Sequence, residues 1–220
     1  MTQRETGGWW RSPLVGAAIV ALALASCGDD TAATVTTTAA APGTITTTAV
    51  TITSDGATLT EAITAVGERY GFAASVTLGG VETTHLEGSV YDGTGQYLVT
   101  SGGSTVEYII GPAGQWARQG DAPWAVLAGP APVVDPLTPL THPSAVTVVA
   151  SDGDDAVLEA TFAAAVLGFS GNEDVVVTLT IVDGVLAEIR YTTPAGGDEA
   201  VVVTTINTDS AIAPITVPTP

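Results

Sequence analysis

The sequence predicts an α+β protein, mostly β. It should hold a strongly curved antiparallel sheet of about ten strands, one N-terminal amphipathic helix, and a short central helix within a proline-rich crossing segment. Three observations predict this. One stretch, Thr58 to Tyr70, carries apolar residues at helical spacing. From Phe72 onward the apolar period drops to two, and turn residues recur every eight to twelve positions. Between two runs of strands, Pro123, Pro130, Pro132, Pro136, Pro139 and Pro143 break the pattern.

Thr58-Leu59-Thr60-Glu61 reads as a capping box, in which the hydroxyl and the carboxylate satisfy free N–H groups of a helix start. Leu59, Ala62, Ile63, Val66 and Tyr70 then form one stripe, and Gly71 is placed as the C-terminal cap. Strands are expected at Ser75–Leu78, Val81–Tyr91, Gln96–Ser101 and Thr105–Ile110, with a shorter one at Gln115–Gln119. Asp92-Gly93 and Gly102-Gly103 supply the tight links. Val133–Thr141 has room for little more than two helical turns. Strands resume at Ala145–Ala150, Ala156–Val166, Val175–Val182, Val185–Thr193 and Ala200–Ile206. Asp183-Gly184 is the strongest hairpin signal in the chain. The proline-rich tail, Ile212–Pro220, is expected to lie against the body as an extended edge.

Residues 1–26 read as a secretory signal. Arg4 and Arg11 precede an apolar run of 12 residues, Leu14–Ala25, which ends in Leu24-Ala25-Ser26-Cys27. A bilayer-spanning helix needs about 20 apolar residues, so a transmembrane reading fits poorly. Residues 27–53 are dominated by threonine and alanine and hold no aromatic residue. Such a stretch has too little apolar surface to offset the entropy of ordering it, and reads as a flexible tether reaching roughly 25–30 Å. The remaining span, 54–220, is the folded β domain. Cys27 is the only cysteine, which excludes an internal disulfide.

Five arginines, no lysine and 23 acidic residues give a formal charge of −18. A nucleic-acid binder needs a basic footprint, and this chain has none. The same charge repels an anionic membrane surface, so membrane attachment must come from an anchor. Dense negative charge also keeps an exported protein dispersed, and coding bias accounts for the alanine, valine and glycine excess. Neither His85 nor His142 has a second histidine or a cysteine at ligand spacing, so no metal is expected. Asp152-Gly153-Asp154-Asp155 lacks the alternation of a calcium loop and reads as a solvated turn. There is no nucleophile elbow and no phosphate-cradling loop, and Ser170-Gly171 has no base partner in the sequence. The expectation is a protein that is not an enzyme and carries no cofactor.

Trp116 and Trp124 either rim a ligand mouth or cap the core; in a chain so poor in aromatics the core reading fits better. Ala160, Ala163, Ala164 and Ala165 crowd around Phe162. They either open a cavity lined by Leu158, Phe162 and Val166 or reflect coding bias.

A cysteine directly after small residues resembles the lipobox of bacterial lipoproteins. The resemblance implies that Cys27 carries a diacylglycerol or acyl anchor on the outer face of the cytoplasmic membrane, in the cell envelope. From Asp55 to Pro218 the chain resembles the actinobacterial LolA-like lipoproteins of the LprG/LppX type. The residues that carry this are the lipobox, the tether, the leading helix, the strand order, Gln115-Trp116-Ala117-Arg118, Asp135-Pro136 and the closing Ala213-Pro214-Ile215-Thr216-Val217-Pro218. The resemblance implies a half-barrel around a helical plug, with an apolar cavity for acyl chains, and a role in carrying lipids or lipoglycans. On that implication the candidate ligand-binding residues are Leu158, Phe162, Val166, Trp116 and Tyr108. Arg118 and Arg190 are headgroup candidates because positive charge is scarce. The rival expectation is a tethered protein-interaction or sensing module with a packed core.

Overall fold

Eleven strands form one antiparallel sheet, where about ten were expected. The structure, a computed structural model, describes residues 54–130, 135–169, 173–195, 197–208 and 211–218. The signal segment, Cys27 and the tether lie outside the described residues, as do Val133 and Ser170-Gly171.

Helix α1 (Ser54–Val66) leads into β1 (Arg69–Leu78), β2 (Val81–Tyr91), β3 (Thr94–Ser101), β4 (Ser104–Gly111), β5 (Gly114–Gln119) and β6 (Ala125–Val126). Among its described residues the crossing segment holds a 3-10 turn, Thr138–Thr141, where a short central helix is expected. The second half runs through β7 (Ala145–Asp152), β8 (Asp155–Ala163), β9 (Asp174–Val182), β10 (Val185–Ala195) and β11 (Asp198–Asn207). Each half is a meander, and the two meet where β1 pairs with β11, so the order is β6-β5-β4-β3-β2-β1-β11-β10-β9-β8-β7. The sheet stays open, with β6 and β7 at its edges.

The helix is displaced from its expected place by one turn. Gly67, at φ +77°, ends α1, so Thr58 and Glu61 lie inside the helix and not at its cap. Tyr70 fits a helical stripe and a strand face equally well. It takes the strand, with Val90 opposite and Phe72 following on the same side. Leu59, Ala62 and Val66 remain the buried stripe of the helix. The expected strand Ala156–Val166 also stops early, at Ala163, and a 3-10 turn at Ala164–Leu167 follows.

The hairpins behave as their turn residues dictate. Asp92 and Gly93 have φ of +48° and +77°, and Asp183 and Gly184 have +52° and +76°. Two successive left-handed residues match the twist of the flanking strands. The β7–β8 and β9–β10 hairpins are pinned together, since Asp183 N donates to Asp155 Oδ1 at 2.8 Å.

One face of the sheet holds the core. Tyr70, Phe72, Leu86, Tyr97, Val99 and Tyr108 from the first half join Leu158, Phe162, Val177, Leu179 and Leu186 from the second in one cluster. Helix α1 covers this face, with Leu137 and Leu140 from the crossing segment beside it. Asp135 fixes that segment: its Oδ1 accepts the Tyr70 hydroxyl and the Leu137 N–H, the latter at 2.8 Å. Burial, and then the Asp135 carboxylate, push the Tyr70 phenol far above its usual range, so it remains a donor.

Phe72 lies between Tyr70 and Tyr97 at ring separations of 6.4 and 5.9 Å, directly over Gly88. A Cβ at Gly88 would stand 2.5 Å from Phe72 Cζ and 3.1 Å from Tyr97 Cδ1. Gly88→Ala is therefore expected to destabilise the domain by about 1–3 kcal/mol through overpacking. Denaturant unfolding monitored by circular dichroism checks this; an unchanged midpoint would contradict the packing.

Candidate functional site

Strands β9 and β10 part from each other at one end. Their pairing begins at the Asp183-Gly184 turn and ends at Tyr191 opposite Val177. Beyond that point β9 stays with β8, down to Asp174 opposite Ala163. Strand β10 stays with β11, down to Ala195 opposite Asp198. The two strands thus follow different neighbours, and a cleft of about 630 Å³ opens between them. Pro194 sits on the diverging arm of β10; it has no N–H to give to a ladder, which suits a strand leaving its partner.

The segment after β8 folds into the break. Ala164 N donates to Glu173 O at 3.1 Å, and Phe169 N donates to Ala164 O at 2.9 Å. This seats the Phe169 ring edge-on against Tyr191, with 5.7 Å between centroids. By strand register, Val175 and Tyr191 face the core side, because Val175 opposes Phe162 and Tyr191 opposes Val202. With Ala164 and Phe169 they make an apolar floor. Asp174, Val176, Thr178, Arg190 and Thr192 alternate onto the other face, and Glu173, Thr193 and Pro194 complete the wall. Arg190 Nε donates to Glu188 Oε1 at 3.1 Å, a half-exposed pair whose own contribution is small.

The five predicted ligand-binding residues do not converge. Leu158 and Phe162 are fully buried in the core, and Tyr108 joins the same cluster from the other half of the sheet. Trp116 points to the opposite face, because it alternates with Ala117, the partner of Tyr108. Val166 belongs to the 3-10 turn and is 39% exposed. Of the alanines around Phe162, Ala160 opposes Val177 and is wholly covered, while Ala164 lies in the 3-10 turn and lines the cleft. Phe162 adjoins the cleft as the cross-strand partner of Val175. Of the two scarce arginines, Arg190 stands at the cleft and Arg118 does not. The sequence does not single out Phe169, Val175 or Tyr191: Phe169 lies between expected strands, and the other two fall inside them. Pro194, at the end of an otherwise strand-like run, was the available signal.

Among the described residues no group of histidine, cysteine, aspartate or glutamate is arranged to hold a metal, and no helix is long and apolar enough to cross a membrane. His85 stands on the polar face between Glu82 and Glu87. The cleft offers apolar contact and a polar rim, a combination suited to binding. The chain matches no family model and no curated protein.

Burial raises the Tyr191 phenol to about 12. The unfolded chain ionises this group near 10, while the fold keeps it neutral. Its stabilising contribution is complete below pH ~10 and is lost as pH rises toward about 12. Absorbance titration at the tyrosinate band, compared with Tyr191→Phe, should show one late-titrating phenol disappear in the variant.

Proposed function

We propose that this chain is a membrane-anchored envelope lipoprotein of the LolA-like kind, and that its exported domain binds an acylated molecule, a lipid or lipoglycan, at the β9–β10 cleft. The observation that carries this reading is the cleft itself. Its volume of about 630 Å³ falls in the usual range for small-ligand pockets. Its floor of Ala164, Phe169, Val175 and Tyr191 is apolar and borders the core. An alkyl chain laid there gains roughly 0.8 kcal/mol for each methylene removed from water. The rim suits a polar head, since Arg190, Glu173, Asp174 and the threonines Thr178, Thr192 and Thr193 all line it. The finer architecture expected from the resemblance, a half-barrel around a helical plug, fits the single helix on one face of an open sheet. Cys27 is the proposed anchor point.

The packed interior favours a second reading, a tethered interaction module. Leu158, Val177, Leu179 and Leu186 are 0% exposed, so an acyl chain cannot enter the middle of the core without displacing α1 or the crossing segment.

Native mass spectrometry separates the two on a soluble form starting at Gly28 and produced in a lipid-rich host. Co-purifying lipid that is lost in Val175→Asp, while the variant stays folded by circular dichroism, is the expected result. A clean apo mass after incubation with envelope lipids would remove the carrier reading and leave the interaction module.

A further inference from the structure

Each arginine among the described residues is already held by an acid. Arg69 pairs with Asp92, Arg118 with Glu107 and Arg190 with Glu188. The chain has no lysine, so the protein presents no uncommitted cation to a negatively charged ligand. Arg118 is the plainest case. It lines a second concavity, a groove of about 530 Å³ on the outward face between β4–β5 and the segment Ala211–Pro218. That segment forms neither helix nor strand, in place of the expected extended edge. There the Arg118 guanidinium also stacks on Trp124, 4.5 Å from the ring centre.

At the β9–β10 cleft the balance is negative. Arg190 is the one cation in its lining, and its Nε is given to Glu188. Glu173 and Asp174 line the same cleft, both are exposed, and neither side chain has a partner among the described residues. Two further acids adjoin by register. Glu199 opposes Pro194, and Glu159 opposes Thr178, which in turn opposes Arg190. Glu159, Glu173, Asp174, Glu188 and Glu199 thus stand around a single guanidinium. An anionic head at this rim meets repulsion, whereas a cationic head replaces its hydration with carboxylate contacts. The floor favours the same sign. Phe169 and Tyr191 both line it, and an aromatic ring attracts a cation to its face. Because the carboxylates are exposed, salt screens their effect.

We propose that the β9–β10 cleft selects its ligand by charge: it accepts an amphiphile with a cationic head, an amine or quaternary ammonium, and rejects carboxylate and phosphate heads. The alkyl chain lies on the apolar floor, and the cation stands at the wall that Glu173 and Asp174 supply. The inference rests on the reading of the cleft as a lipid site and narrows the class of its ligand.

The test titrates the chain starting at Gly28 with dodecyltrimethylammonium, dodecyl maltoside and dodecanoate, each below its micelle concentration. The buffer is held at about pH 8, where a carboxylic acid is ionised. Methyl signals of Val175 report the cleft floor, and those of exposed Val149 on edge strand β7 report adsorption elsewhere. At about 10 mM salt, where the Debye length is about 30 Å, the ammonium is expected to bind at least about tenfold more tightly than dodecanoate. At about 1 M salt that gap should fall below about threefold. Glu173→Gln with Asp174→Asn should narrow the low-salt gap by at least about threefold. Dodecanoate binding as tightly as the ammonium overturns the charge selection, as does saturation by dodecyl maltoside alone; either leaves the cleft an amphiphile site. A gap that neither salt nor the double variant narrows overturns it too, as do Val149 signals that move together with those of Val175. No saturable shift with any of the three probes removes the lipid reading itself, and this inference with it.

Discussion

Everything in this domain depends on a single apolar face that an open sheet cannot cover by itself. Ten of the eleven strands contribute to it, the short β6 being exposed, and α1, a few residues of the crossing segment and the turn after β8 shield it from water. The helix supplies Leu59, Ala62 and Val66, and the crossing segment supplies Leu137 and Leu140. The Tyr70–Asp135 hydrogen bond holds that segment down where β1 begins. Because the phenol is buried and kept neutral, the bond replaces hydration for both partners; removing one partner would leave a buried polar atom unanswered, at a cost of about 1–3 kcal/mol.

Given that face, the two concave features arise from separate local failures of sheet regularity. The β9–β10 cleft exists because each strand keeps its outer neighbour and gives up the inner one, with Pro194 on the arm that cannot donate. The groove at β4–β5 lies on the outward face, between Ile109, Arg118 and Trp124 on one side and the segment Ala211–Pro218 on the other. Neither feature belongs to the filled interior. The concave features lie where strands part or where the outward face is apolar.

What could be read in the sequence was local. The strand Val81–Tyr91 falls where its alternation put it, and Asp183-Gly184 makes its hairpin, because period and turn chemistry act over a few residues. The helix end was misplaced because Tyr70 satisfies both periods and only its tertiary partners, Val90 and Asp135, decide between them. Trp116 was expected near the candidate cavity, yet its parity on β5 sends it to the opposite face, a fact that depends on the register with β4. Of the cleft, Pro194 is the single local mark in the sequence; the rest records which neighbour each strand keeps, which is a matter of pairing across the sheet.

The pairing of β1 with β11 has a temporal consequence. Thr205 Oγ1 reaches Ala73 O across 132 positions of chain, so this seam joins residues that are far apart in synthesis. Each meander can zip locally, hairpin by hairpin, but β1 has no neighbour on its inner side until β11 has been made. Closing so long a loop is the slow, entropically costly event in such a topology. The first half therefore carries an unfinished edge for most of the time the chain is being produced. A chain that stays unclosed until its last strand arrives offers the free edge of β1 to any other strand it meets before it locks.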